Sequence, residues 1–294
     1  MPEFKYEDKS LSPSKIQIQE QDSKLTFIDD KFSDKLFYYD IEKSKIINAF
    51  VPKKNTRIKD YSLQGGKVGQ FNNNAIMLGI SENNIYRIDP RSNKPIVQTK
   101  SYKMEIGFNK IIGTTDTSFA IGSNNGDIRM YKDVGSSAKN LIPSMLGDPI
   151  LQIDSSKDSS LLLLTFKRYL ILMPTFQNGK SAYERTFKKD SKPKPIILRV
   201  DPQILARFNI SEPAFVSAKF DFKRNDNETF IVACCNNILV IWDLGKVLKG
   251  NLVARNFLPM EDRIIGGEFL YDQNNIVTAL QKNITVNTAK LERI

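Results

Sequence analysis

Gly179-Lys180-Ser181 has the ending of a phosphate loop, in which backbone N–H groups and a lysine cradle phosphate oxygens. The motif also needs a glycine five residues before Gly179; Pro174 stands there, and no helical pattern follows. Gly65-Gly66-Lys67-Val68-Gly69 is glycine-rich, but it neither follows a strand nor opens a helix, as a dinucleotide fingerprint must. A loop or the start of a strand is expected there. The chain has 0 histidines, which removes the commonest general base and metal ligand, so a Ser-His-Asp or Cys-His site cannot be assembled. Its 2 cysteines, Cys234 and Cys235, are too few for a four-ligand zinc site. Asp89, Asp127, Asp154 and Asp243 fall at repeated places along the chain. That is what structural hydrogen bonding predicts, rather than the acid and base pair of a glycosidase. No catalytic residue, metal ligand or cofactor is assigned, and the chain is not expected to be an enzyme.

Binding is the remaining chemistry, and its candidates are basic. Lys167-Arg168 forms one group, and Lys188, Lys189, Lys192 and Lys194 form another, the second set among prolines that would hold it extended and outside any regular strand. Lys219 with Lys223-Arg224 is a weaker third. Lys plus Arg total 43 against 33 for Asp plus Glu, a net +10 that favours acidic partners, yet the lysines are spread along the chain as a solvated surface would have them. Aromatic residues are not interleaved with them as in a stacking platform, so nucleic acid is disfavoured as a partner.

The elements that must position these residues repeat. An apolar strand, a short polar turn and a second strand ending in an aromatic or aliphatic residue recur five times. The pairs are Lys24 to Ile28 with Leu36 to Asp40, Ala75 to Ile80 with Ile85 to Asp89, Phe119 to Gly122 with Asp127 to Tyr131, Leu161 to Phe166 with Tyr169 to Met173, and Phe230 to Cys234 with Ile238 to Asp243. Asn125-Gly126 marks the third pair as a tight hairpin whose central residues take positive φ. Equivalent ends lie 49, 43, 41 and 70 residues apart, and the first three intervals are near the ~40 to 45 residue period of a four-stranded propeller blade. The fourth interval implies an insertion, placed at about 188–209, with a short helix from Gln203 to Phe208 opened by Asp201-Pro202. A sixth unit spans Ile264 to Tyr271, Asn275 to Leu280 and Asn283 to Asn287. The segment Glu3 to Glu7 alternates as a strand that could complete it.

The expected fold is therefore all-β, a single β-propeller domain of WD-repeat type over 1–294, with six blades and seven as the alternative. A two-sheet sandwich would also suit short strands, but the regular spacing favours blades. Adjacent cysteines in an apolar run, a charged amino terminus and the absence of any apolar run near ~20 residues point to a reducing, cytoplasmic setting without a spanning helix.

Several segments together resemble the C-terminal propeller-like domain of the vacuolar import and degradation protein family, the branch numbered twenty-seven. They are Gly126-Asp127-Ile128-Arg129-Met130-Tyr131, Ala138-Lys139-Asn140 with Pro143, Leu146-Gly147-Asp148-Pro149-Ile150, and Tyr169-Leu170-Ile171-Leu172. Supporting them are Tyr86 to Arg91, Asp190 to Pro195, Trp242-Asp243-Leu244 and Lys246-Val247-Leu248-Lys249-Gly250. The likeness runs from about Lys15 to near the C-terminus. Lys132 stands where the family tends to have aspartate, and family members are longer, with an amino-terminal region that includes a pleckstrin-homology-like part. The resemblance implies a cytoplasmic protein connected with vacuolar import and degradation of metabolic enzymes, with no active-site residues to carry over.

Two functions follow as expectations. The first is a protein-interaction scaffold that grips other proteins through propeller faces and the insertion. The second is a binding module for anionic lipid or phosphate on a membrane surface.

Overall fold

The computed structural model describes residues 4–19, 23–65, 76–114, 116–144, 146–188, 192–221, 228–269 and 275–288. The chain divides into two compact units, 1–144 and 145–294, and among the described residues each holds three antiparallel sheets of three or four strands laid down one after another, with one two-stranded hairpin besides.

In the first unit the first sheet pairs Pro13–Gln19, Lys24–Asp29, Leu36–Asp40 and Lys45–Phe50 in chain order. The second pairs Asp60–Leu63, Met77–Ile80, Asn84–Ile88 and Ile96–Ser101. The third pairs Phe108–Gly113, Phe119–Ser123, Ile128–Tyr131 and Asn140–Ile142. The second unit begins with a sheet of Gln152–Ser155, Leu161–Thr165, Leu170–Pro174 and Ile196–Leu198. Phe215–Phe220, Phe230–Cys235, Ile238–Asp243 and Asn256–Pro259 form the fifth. The sixth contains Ile264–Phe269, Asn275–Leu280 and Ile284–Thr288 among the described residues.

Second and third strands of the first five sheets are largely buried on both faces, which explains why the sequence there reads as continuous apolar runs rather than alternation. Every residue of Phe230–Cys235 is buried, as are Ile238 to Trp242. Fourth strands lie nearer solvent, and Ile96–Ser101 alternates between half-buried and exposed. Between the second and third sheets Leu78, Ile80, Phe108, Phe119 and Tyr131 make one apolar layer. Between the fourth and fifth, Leu170, Leu172, Phe215, Phe220, Val240 and Trp242 make another.

First strands of neighbouring sheets are stitched by side chains that accept from the next strand's backbone. Asp60 Oδ2 accepts the Ile111 N–H at 2.9 Å and Ser62 Oγ the Gly113 N–H at 2.9 Å. In the second unit Gln152 Oε1 accepts from Ala218 N–H at 3.2 Å and Asp154 Oδ2 from Phe220 N–H at 2.8 Å. The same two positions, two residues apart and so on one face, are used in both units. The approach is so close at Gly113 that a Cβ there would lie 2.2 Å from the Leu63 carbonyl oxygen.

Four expectations need correction. Phe4 to Tyr6 does not complete the sixth sheet: Lys5–Tyr6 pairs with Lys9–Ser10 in a small hairpin folded onto the first sheet. Its aromatic rings decide the matter, with Phe4 5.1 Å from Phe27 and Tyr6 5.1 Å from Phe37, so the segment covers an apolar face instead of a strand edge.

At Asn125-Gly126 only Gly126 takes positive φ, at 82°, and its N–H donates to the Ser123 carbonyl. That is a three-residue loop with a left-handed glycine, not the two-residue turn. The two-residue geometry occurs at Asn178-Gly179, with φ of 51° and 71°.

The insertion at about 188–209 is divided by a blade strand, because Ile196–Leu198 pairs with Leu170 to Leu172. What is inserted is the connection 175–195, followed after the strand by a helix at Pro202–Arg207, where Asp201 Oδ1 accepts the Gln203 N–H at 2.7 Å.

The aspartates also split. Asp243 ends a third strand, as does Asp40, and Asp89 directly follows one, whereas Asp127 lies in a hairpin turn and Asp154 in a first strand. In the third sheet Asp133 takes the role that Lys132 cannot, accepting the Gly135 and Ser136 N–H groups at 2.6 and 3.1 Å.

Candidate partner-binding surfaces

The connection 175–195 leaves the third strand of the fourth sheet where the first sheet spends only residues 41–44 on the same link. Its base is fixed. The Thr175 N–H donates to Ser160 O and the Ala182 N–H to Thr175 O, each at 2.8 Å. Ala182 and Tyr183 are buried. From this base projects the hairpin Phe176–Gln177 with Lys180–Ser181. The phosphate-loop look-alike is thus a hairpin turn, with Asn178-Gly179 supplying the positive φ angles that such a turn demands. Phe176 is 53% exposed at the hairpin, an aromatic ring held in water by an anchored scaffold. Past the hairpin Lys188 is exposed, Lys192 half-buried and Lys194 exposed, while Lys189 lies outside the described residues.

Lys167 and Arg168 form the turn between the second and third strands of the same sheet. The Phe166 N–H donates to Tyr169 O at 3.0 Å and the two rings stack with centroids 4.7 Å apart. Lys167 O accepts the Phe215 N–H at 2.8 Å, and Arg168 Nη2 donates to Glu212 Oε2 at 3.3 Å. Tyr169 donates to Asp148 Oδ2 at 3.1 Å, and burial together with that carboxylate pushes its phenol up to about 12. The turn is therefore welded to the fifth sheet and part of its charge is already paired.

Lys167-Arg168 and Lys194 do not share one surface. Leu170 pairs with Leu198 and Leu172 with Ile196, so Lys167-Arg168 lies at one end of the strand Leu170–Pro174 and Lys194 at the other, separated by roughly 13 Å at 3.3 Å per residue. Lys219 lies within a first strand, and Lys223-Arg224 is outside the described residues.

Sequence reasoning missed a pair of matching turns. Asp116 accepts from Thr114 Oγ1 and the Ser118 N–H, both at 2.7 Å, and Asp158 accepts from Ser156 Oγ at 2.6 Å and the Ser160 N–H at 3.0 Å. The shared Ser/Thr-x-Asp-x-Ser spacing was the available signal. Burial raises both carboxyls, but the hydrogen bonds outweigh it and hold each below its ordinary value. These carboxylates are thus committed to turn structure. Among the described residues no group of three or more His, Cys, Asp or Glu side chains could hold a metal ion, and no helix is long and apolar enough to cross a membrane.

Six successive antiparallel sheets of this pattern define a six-bladed β-propeller of WD-repeat type. Among solved structures, the β-propeller domain of Cps50 (Swd1) from Myceliophteria thermophila superposes with a TM-score of 0.55 over 95% of this chain and 97% of that one, at 8% identity, a likeness of fold alone. The chain belongs to the VID27 family: the family's C-terminal WD40-like domain matches residues 4–293. Two relatives, each named vacuolar import and degradation protein 27, are 33% identical over 298 residues in Schizosaccharomyces pombe and 28% identical over 303 residues in Saccharomyces cerevisiae. They align with 97% and 96% of this chain, which spans 37% and 38% of their lengths.

Proposed function

We propose that this chain is a non-catalytic interaction module that holds other proteins, acting as a single propeller in the cytoplasm within the vacuolar import and degradation process that its relatives' names record. The carrying observation is the connection 175–195. A loop of that length is anchored at its base by buried Tyr183 yet presents Phe176 and Lys180 outward. Exposed aromatic and basic side chains on a rigid support are what protein-binding hot spots use. The absence of histidine and the commitment of Asp60, Asp116, Asp154 and Asp158 to backbone hydrogen bonds support a binding role over catalysis.

The test is affinity capture from cytoplasmic extract with the intact chain, with Phe176→Ser/Lys180→Ser, and with Lys188, Lys189, Lys192 and Lys194 changed to Ser. A defined protein set captured by the intact chain and lost in either variant is the expected result.

The net charge of +10 favours a second reading, attachment to anionic lipid or phosphate. That binding would fall steeply between low and physiological salt, whereas a desolvated protein interface would not. Capture of no specific protein, with salt-sensitive binding to anionic vesicles by all three forms, would overturn the first reading in favour of the second.

A further inference from the structure

Between the third and fourth strands of the fifth sheet the chain forms the helix Leu244–Leu248 and the loop that returns to Asn256. The helix buries Leu244 and Val247, but Leu248 is left 50% exposed, and the loop then exposes Leu252 by 41% and Val253 by 77%. Three aliphatic side chains facing water within six residues is an unusual outlay for a small loop.

The loop is held from both sides. Asp243 Oδ1 accepts the Lys246 N–H at 2.9 Å and caps the helix. Gly250, with φ of 90°, closes its other end: the Gly250 N–H donates to Val247 O and the Asn251 N–H to Lys246 O, each at 2.9 Å. The Val253 N–H donates to Asn251 Oδ1 at 3.2 Å, and the indole N–H of the fully buried Trp242 donates to Leu252 O at 3.1 Å. A surface fixed in this way has little ordering entropy left to lose on binding.

Its charge has one sign. From Leu244 to Met260 the sequence carries Lys246, Lys249 and Arg255 and no Asp or Glu. The carboxylate that precedes this stretch, Asp243, is occupied by the helix cap and by Arg255 Nη1 at 3.7 Å. Lys246 and Lys249 are exposed and in no ion pair with a described residue. The exposed apolar side chains between and beyond them, Leu248, Leu252 and Val253, are aliphatic, while Phe257 is packed against Phe208 with centroids 6.4 Å apart. The Trp and Tyr that anchor membrane interfaces are missing from Lys246–Val253, which favours a protein segment as its occupant.

We propose that Lys246–Val253 is a docking surface for a short protein segment in which aliphatic residues alternate with Asp or Glu. The aliphatic side chains would cover Leu248, Leu252 and Val253, and the carboxylates would reach Lys246 and Lys249. This rests on the interaction-module reading and adds to it a second surface, on another sheet, with the chemistry of its partner.

The experiment pans a phage-displayed random dodecapeptide library against the folded chain. The expected clones are rich in Leu, Ile or Val together with Asp or Glu, and a synthetic copy slows amide exchange in 246–253. Its affinity should fall at least tenfold in Leu248→Ser/Val253→Ser and about threefold or more in Lys246→Ser/Lys249→Ser, with the second loss disappearing in 0.5 M salt. Val253→Ser alone, at the most exposed position, keeps the test valid should the double variant fold poorly; it should still weaken binding about threefold. Clones without the acidic and aliphatic signature, clones that bind the Val253→Ser and double variants at full affinity, or no enrichment at all would each overturn the proposal. Loss of binding to phosphatidylserine vesicles in the double variant, with no peptide bound, would assign the surface to membranes instead. Peptides that bind elsewhere on the chain would sink this surface while leaving the interaction-module reading intact.

Discussion

Asp60 accepts the Ile111 N–H at 2.9 Å through one carboxylate oxygen and binds Lys15 Nζ at 2.6 Å through the other. One side chain of the second sheet thus holds the first strands of the sheets on either side of it. Replacing it by alanine leaves a buried N–H without an acceptor and a half-buried ammonium without its counter-charge. The expected loss is about 2–4 kcal/mol. Asp60→Asn keeps an acceptor and should lose less. Urea midpoints of the two variants give the order, and equal losses would show that the hydrogen bond to Ile111 contributes nothing and that the ion pair with Lys15 carries the whole effect.

Gly113→Ala tests the same contact through sterics. With the Leu63 carbonyl oxygen 2.2 Å from where Cβ must go, backbone has to move in one sheet or the other, at a cost of about 1–3 kcal/mol. A melting temperature equal to that of the unsubstituted chain would mean the sheets are further apart than described.

Acid stability should carry the mark of the two matching turns. Asp116 and Asp158 sit below the ordinary carboxylate value of about 3.9, burial being outweighed by the hydrogen bonds from Thr114 and Ser118 and from Ser156 and Ser160. A folded-state value below the unfolded one means the folded chain binds fewer protons. The stabilisation is then present above the unfolded value and is lost as pH falls through the folded one. The double variant Asp116→Asn/Asp158→Asn should be less stable at pH 7 and lose stability less steeply below pH 4 than the unsubstituted chain. Parallel curves in acid would contradict this.

Thiol chemistry offers a further check. Cys234 and Cys235 are both buried, and burial pushes the Cys235 thiol up to about 12. Thiolate is the reactive form. Iodoacetamide at pH 8 should therefore leave the native chain unlabelled and modify both cysteines in urea. Rapid native labelling at Cys235 would show that the fifth sheet opens.

The second and third strands of the first five sheets were legible in the sequence because burial on both faces writes them as unbroken runs such as Phe230 to Cys235. Fourth strands were not. Ile196–Leu198 is three residues beside a Lys-Pro string, and local composition there resembles a linker until the pairing with Leu170 to Leu172 is known. Phe4 and Tyr6 alternate equally well for a strand edge or for a cover over Phe27 and Phe37, and only tertiary packing chooses between them. The basic residues of the candidate site could be picked out from sequence, but the separation of Lys167-Arg168 from Lys194 onto two ends of one sheet could not, because it depends on register. Phe176 gave no signal, since an aromatic residue beside a turn reads as core until its exposure is seen.

The interaction-module account is tested most directly by photo-crosslinking in cytoplasmic extract, with benzoylphenylalanine in place of Phe176 and, as a control, in place of Val97 on the second sheet. The account predicts discrete covalent protein adducts at 176 that disappear when Lys180 is changed to Ser and are absent at 97. No adduct at 176, or the same adducts at both positions, would contradict it.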